Sequence, residues 1–175
     1  MKKTLVIAIA GILTFSCSKK ESQKADEKAD STKITDSVNA ERVKTNDSIK
    51  ALNSKNRFKD FNGAHQFFYQ NDSSPRYSGS VNFTRIEDER DHYTLSGNIK
   101  SGKNSVTLKG IMMVVSPKHM NFTGEITQSI TDNDNGKLYT RKGTKTFMSK
   151  DGGKTYRLQD MVNGSGFVDY IDIQY

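Results

Sequence analysis

Residues 92–127 read HYTLSGNIKSGKNSVTLKGIMMVVSPKHMNFTGEIT and contain three short segments that are built alike. Each segment places a glycine between two apolar residues at alternating positions, so the glycine and the apolar side chains share one face of a strand. The glycines are Gly97, Gly110 and Gly124. Because a glycine weakens a strand, a row of them indicates a place where a sheet bends tightly. The stretch therefore predicts a strongly coiled or closed antiparallel meander.

Two hairpins follow if these glycines lie opposite one another. Setting Gly97 against Gly110 centres the first turn on Lys103-Asn104. Setting Gly110 against Gly124 centres the second turn on Pro117, where a central strand cannot continue. The second register also places apolar residues opposite apolar residues, as cross-strand pairing favours. These pairs are Met112 with Phe122 and Leu108 with Ile126.

The same alternation continues on both sides of this stretch, interrupted by regularly spaced clusters of Gly, Asn, Asp, Pro and Ser. No helical period intervenes, which disfavours parallel crossovers. We predict an all-β domain over residues 57–175, a single antiparallel meander closed into an up-and-down, calycin-like β-barrel. A β-sandwich or a half-open sheet is the alternative. The eight predicted strands cover 58–70, 76–86, 91–100, 105–115, 119–130, 138–149, 154–161 and 167–174.

Residues 1–16 have the features of an export signal. Lys2 and Lys3 precede an apolar run over residues 5–13. This run is too short to cross a bilayer as a helix, which takes roughly 20 residues. We therefore predict a signal peptide over 1–16.

The apolar run ends at Cys17, which is the only cysteine of the chain. The preceding residues Thr14, Phe15 and Ser16 resemble the lipobox of bacterial lipoproteins, although leucine usually occupies the position of Thr14 and Phe15 is bulky. The resemblance implies that Cys17 carries a lipid such as palmitate and anchors the protein to a membrane. Ser18 resembles the outer-membrane pattern of Gram-negative lipoproteins. An ordinary signal peptide with a chance cysteine, or an uncleaved anchor, is the alternative.

Residues 17–56 consist mainly of Lys, Glu, Asp, Ser, Thr and Asn. A segment with so few apolar residues cannot offset its loss of conformational entropy by burial. We predict a disordered or weakly helical tether that holds the barrel domain off a membrane.

The sequence predicts no catalytic site, no cofactor and no metal site. Residues 97–103 match the start of a phosphate-binding loop, but Asn104 replaces the hydroxyl residue that binds Mg²⁺, and the segment joins two strands. The histidines His65, His92 and His119 have no metal-like spacing. The alternative is an envelope hydrolase whose site is assembled only in the folded chain.

The net charge of +7 and the isoelectric point of about 9.4 raise the question of a nucleic-acid partner. Lys and Arg alternate with Asp and Glu, however, and no basic run is interleaved with aromatic residues. We therefore predict no nucleic-acid binding, and a basic surface near anionic lipid headgroups accounts for the charge.

One predicted strand, 138–149, carries charge on the face that holds its glycine. If Gly143 faces inward, then Arg141 also faces inward and needs an anion. The alternative is an edge strand whose charges reach solvent. We take the charged and aromatic residues of this region as candidate ligand-binding residues. They are Tyr139, Arg141, Lys145, Asp160 and Asp169.

Several short motifs resemble those of small uncharacterised lipid-anchored β-domains of Gram-negative bacteria. They are Gly124-Glu125, Arg141-x-Gly143, Phe147 and Tyr156-Arg-Leu-Gln159. The resemblance implies a binding or structural domain and no enzymatic activity. The sequence thus predicts a lipoprotein of the cell envelope, placed at the outer membrane. Its barrel is expected to bind a small amphipathic ligand or an envelope protein.

Overall fold

A computed structural model describes residues 21–175, so the predicted signal peptide and Cys17 lie outside the described residues. The chain divides between Asp47 and Ser48 into two compact units, of which the second extends to Tyr175. Eight strands make up most of the second unit.

One long helix, α1 (Glu21–Asn53), occupies most of the segment for which the sequence predicts a disordered or weakly helical tether. From residue 30 onward its large apolar side chains are exposed, so their burial contributes little to the stability of this part of the helix. These side chains are Ile34, Val38, Val43, Ile49 and Leu52. The part of the chain that the structure describes contains no helix long and apolar enough to cross a membrane.

The strands form a closed antiparallel barrel in which each strand pairs with the next and the last pairs with the first. This topology confirms the predicted up-and-down barrel and excludes the β-sandwich and the half-open sheet. The strands are β1 (Gly63–Asn71), β2 (Tyr77–Arg85), β3 (His92–Ser101), β4 (Asn104–Ser116), β5 (His119–Ser129), β6 (Tyr139–Met148), β7 (Thr155–Leu158) and β8 (Asp169–Gln174).

The inward-facing residues of the strands form one hydrophobic core. Burial alternates along most strands, as the period of two in the sequence requires. The largest fully buried side chains are Tyr69, Tyr93, Phe61, Phe67, Phe83, Phe122, Phe147, Ile99, Leu108, Met112, Met120 and Ile126.

The predicted glycine register is confirmed for one hairpin and wrong for the other. Gly110 lies opposite Gly124, as predicted, and the turn falls at Pro117-Lys118. Gly97, however, lies opposite Leu108, because the β3–β4 turn consists of only two residues, 102 and 103. Gly102 occupies this turn at a φ of 60°, a conformation that suits glycine.

The paired glycines allow β4 and β5 to approach under an aromatic ring. A Cβ added to Gly110 would lie 2.8 Å from the Cα of Gly124 and 2.8 Å from Cε2 of Phe122, and it would also collide with the carbonyl oxygen of Thr123. The Phe122 ring therefore covers the space that two side chains would otherwise need. The predicted inward position of Gly110 and Gly124 is thus confirmed, whereas Gly143, opposite Gly124, is exposed and adopts a φ of 95°.

The strand pairing of the barrel is least extensive between β6 and β7. β6 pairs with β5 along its whole length but with β7 only through Phe147 and Met148. One further backbone bond joins the Gln159 N–H to the Thr146 carbonyl. The predicted strand 154–161 is therefore too long. We call the region between residues 139–146 and the loop 159–168 the seam.

Residues 55–62, here called the plug, cover one end of the barrel instead of extending β1 to residue 58 as predicted. Phe61 is 1% exposed and packs edge-on against the rings of Tyr156 and Tyr175. Buried Asp91 accepts hydrogen bonds from the N–H groups of Arg57 and Phe58, at 2.9 and 3.1 Å. The plug thus closes this end of the barrel with a buried aromatic ring, Phe61, and with backbone N–H groups that are hydrogen-bonded to Asp91.

Candidate functional site

The seam is closed by a buried arginine, Arg141 of β6, whose side chain is 2% exposed. Its Nη1 donates to the backbone carbonyl of Asp160 at 2.6 Å, and its Nη2 donates to Gln128 Oε1 at 3.1 Å and pairs with the carboxylate of Asp169. Arg141 thus faces inward, and the alternative of an exposed edge charge is wrong for this residue. The guanidinium connects β6 to the loop 159–168 and to β8 where the backbone ladder stops.

The carboxylate of Asp169 is fully buried and accepts hydrogen bonds from several neutral groups besides Arg141. The Tyr69 hydroxyl donates at 2.7 Å, Gln128 Nε2 at 2.8 Å and Asn163 Nδ2 at 3.3 Å. Burial, together with the bond to Asp169, holds the pKa of Tyr69 well above its usual value, so the hydroxyl remains a donor. We call these residues the seam cluster: Tyr69, Gln128, Asn133, Arg141, Asn163 and Asp169.

The other predicted site residues lie beside the seam cluster. Lys145 Nζ is 2.5 Å from the carboxylate of Asp160, and both side chains reach solvent. The Tyr139 ring centroid is 5.6 Å from the guanidinium carbon of Arg141. The structure therefore brings all five predicted residues together, but it pairs Arg141 with Asp169 and Lys145 with Asp160. Their role in ligand binding stays a prediction.

A groove of about 510 Å³, which the sequence analysis missed, lies on the outer wall of the barrel. Its floor is one cross-strand row in which Phe68 of β1, Asp172 of β8 and Arg157 of β7 lie opposite one another. The alternation with buried residues marks these positions as outward. The groove could not be predicted from the sequence, because no local pattern shows that β1, β8 and β7 lie side by side in this register. We define this outer groove by Phe68, Arg76, Lys150, Arg157, Tyr170 and Asp172.

Two arginines of the outer groove lie against aromatic rings. The guanidinium carbon of Arg76 is 3.7 Å from the ring centroid of Phe68, and that of Arg157 is 4.8 Å from the ring centroid of Tyr170. Arg157 also donates two hydrogen bonds of 2.7 Å to Asp172, and this carboxylate raises the pKa of Arg157 further. Asp172 thereby fixes the orientation of the Arg157 guanidinium, and the Phe68 ring attracts that of Arg76.

The second carboxylate of the groove wall belongs to Asp151, and its own loop holds it. It accepts hydrogen bonds from the N–H groups of Thr155 and Lys154, at 2.9 and 3.1 Å, and from the Ser149 hydroxyl at 2.8 Å. The backbone hydrogen bond from Thr155 is the main reason that the pKa of Asp151 falls to about 2. Asp151 is therefore ionised at neutral pH, and its Oδ1 accepts all three of these hydrogen bonds.

The described residues hold no obvious catalytic centre. Ser116 Oγ lies 3.0 Å from His119 Nδ1, but the two residues flank the turn at Pro117 and the same oxygen accepts the Lys118 N–H. Among residues 21–175, no group of three His, Cys, Asp or Glu side chains is arranged to hold a metal ion.

The comparisons with known proteins identify a family. The profile of the PM1083 family matches residues 31–175. A protein of Pasteurella multocida (strain Pm70), named "Uncharacterized protein PM1083", is 34% identical over 112 residues, which are 63% of this chain and 71% of that protein.

Two solved β-barrels of designed sequence are also similar in shape. A redesigned β-barrel has a TM-score of 0.42 at 14% identity and covers 65% of this chain and 90% of its own. A fluorescence-activating β-barrel designed de novo has a TM-score of 0.40 at 15% identity and covers 65% of this chain and 92% of its own.

Proposed function

Since the chain belongs to the PM1083 family, we propose for this member a role as a lipid-anchored envelope protein with a non-catalytic barrel that binds on its outer wall. The anchor is the lipid predicted on Cys17. The bound molecule is a small ligand or an envelope partner, and it contacts the outside of the barrel instead of entering it.

The observation that carries this proposal is the filled interior. Barrels that carry small molecules keep an open, largely apolar cavity of about 300–1,000 Å³. Here aromatic and aliphatic side chains fully buried in the middle of the barrel, such as Phe67, Phe122 and Ile126, occupy that place. The plug covers one end and the seam cluster lies near the other. We therefore expect a ligand or partner to bind on the outer wall and not in the filled interior.

Anchoring predicts a clear result for Cys17→Ser. The variant should lose labelling by a fatty-acid probe and move from the membrane fraction to the soluble fraction, because the thiol that accepts the lipid is gone. The matched control is Ser18→Ala, which leaves the thiol in place and should keep both the label and the membrane association. Unchanged labelling of Cys17→Ser would contradict the lipid anchor.

The filled interior predicts that the intact protein does not take up a single-chain amphiphile. A ligand inside the barrel at 100 times its Kd would stabilise the fold by about 2.7 kcal/mol, which raises the Tm by several degrees. Dodecanoate and lysophosphatidylcholine, below their critical micelle concentrations, should leave the Tm unchanged. A rise of several degrees in the unaltered protein would contradict binding on the outer wall.

A further inference from the structure

We propose that the outer groove binds a small acidic sugar, in which a saccharide ring carries a carboxylate or a phosphate. This inference rests on the proposed function, because it assigns a ligand class to the outer wall. It is argued from the donors that the groove leaves free, from the carboxylates that are already bound, and from the polarity of the lining.

The groove presents cationic donors that the protein itself does not use. Within the described part of the chain, neither Arg76 nor Lys150 has a hydrogen-bond or ion-pair partner, although both line the groove. Arg76 is exposed, and its guanidinium lies over the ring of Phe68. A planar guanidinium can bind a carboxylate or phosphate through two parallel hydrogen bonds. These donors therefore favour an anion.

The carboxylates of the groove do not cancel these donors. Asp172 accepts both of its short hydrogen bonds from Arg157, and Asp151 is held by the backbone N–H groups of its own loop. Arg157 uses Nε and Nη2 for Asp172, so its Nη1 remains available to a ligand. Of the two carboxylates, Asp172 is paired with Arg157 and Asp151 is bound through Oδ1 to its own loop, whereas Arg76, Lys150 and Nη1 of Arg157 are available to an incoming anion.

The lining indicates a sugar and not an acyl chain. The lining mixes apolar side chains, such as Met148 and Met161, with the polar side chains of Gln70, Thr155 and Gln159. The rings of Phe68 and Tyr170 are already covered by Arg76 and Arg157. An acyl chain needs a continuous apolar wall, whereas the hydroxyls of a saccharide bind amide and hydroxyl groups of such a mixed lining. The volume of about 510 Å³ lies within the range of small-molecule sites.

Calorimetric titration of the protein compares four probes: trigalacturonate, glucose 6-phosphate, neutral maltotriose and inorganic phosphate. We expect saturable binding of at least one anionic sugar, at least tenfold tighter than maltotriose or inorganic phosphate. Trigalacturonate carries carboxylates and glucose 6-phosphate carries a phosphate. The one that binds more tightly therefore identifies the anion that the groove prefers. Binding should weaken as salt rises, because the donors are exposed.

Two variants distinguish the groove from general attraction by the net charge of +7. Arg76→Ala should weaken binding of the anionic sugar at least tenfold. Lys109→Ala removes the same charge from the exposed face of β4, which β2 and β3 separate from β1, and should change the affinity less than twofold. Arg76→Lys should restore only part of the loss, since it keeps the charge without the planar donor pair. Circular dichroism verifies that each variant is folded.

The inference would be overturned by equal losses in Arg76→Ala and Lys109→Ala, by equal affinity for maltotriose and the acidic sugars, or by no saturable binding of either acidic sugar at 10 mM. If inorganic phosphate binds as tightly as the sugars, the saccharide ring contributes nothing to binding and the inference is also wrong. None of these outcomes affects the Cys17→Ser or amphiphile experiments. Failure of this inference is therefore distinguishable from failure of the proposed function.

Discussion

Arg141→Ala is expected to lower the free energy of unfolding by about 3–5 kcal/mol, because it removes one partner of a buried ion pair. In this variant, Asp169 stays buried with only neutral donors. The carbonyl of Asp160 also loses the hydrogen bond that Arg141 donates to it. Chemical denaturation followed by circular dichroism measures the loss. The variant should remain a barrel at low denaturant, since β6 keeps its full ladder with β5.

Lys145→Ala is the matched control for Arg141→Ala. It removes a cation from the same strand, but the pair of Lys145 with Asp160 is 25% and 44% exposed, so the expected loss is below about 1 kcal/mol. Replacing both members of the buried pair, in Arg141→Met with Asp169→Leu, should recover part of the loss. Equal small losses in Arg141→Ala and Lys145→Ala would show that the seam cluster does not hold the barrel together.

Gly110→Val is expected to cost about 3 kcal/mol, at the upper end of the range for overpacked cores. The collision begins at Cβ, which would meet the backbone of β5 as well as the Phe122 ring. Gly110→Ala should therefore already show most of the loss, and shortening Phe122 should not relieve it. Denaturant melts of both variants measure the effect.

Thr107→Val is the control for Gly110→Val, because it places the same side chain on the exposed face of the same strand. Its effect should lie within about 0.5 kcal/mol, as for most surface substitutions. If Gly110→Ala and Gly110→Val are both as mild as Thr107→Val, the close approach of β4 and β5 is not required for stability.

The fold was largely predictable because its decisive pairs are local. Gly110 and Gly124 belong to adjacent strands, and Pro117 fixes the turn between them, so the register follows from a few residues. The register of Gly97 was wrong by two residues because the turn position depends on which residue adopts a positive φ, and Gly102 does so one place earlier than the apolar pattern indicates. Alternation alone does not carry that information.

The site was less predictable because it depends on the part of β6 that has no partner on its β7 side. Arg141 faces inward by the alternation of β6, and its guanidinium reaches the carbonyl of Asp160 because β7 ends at Leu158 and the chain continues as a loop. The sequence 154–161 alternates like a full strand, so the short β7 could not be anticipated. The start of β1 was misplaced as well. Phe58 and Phe61 are three positions apart, so they cannot share one face of a strand, and both belong to the plug that precedes β1.

The pairing of the first strand with the last determines when the barrel can close during synthesis. The hydroxyl of Tyr69 and the carboxylate of Asp169 are 100 residues apart in the chain, and they meet only when β8 lies beside β1. A nascent chain can form its hairpins one after another as they leave the ribosome. Until Gln174 has emerged, however, it remains an open sheet with the free edge of β1 exposed to other chains.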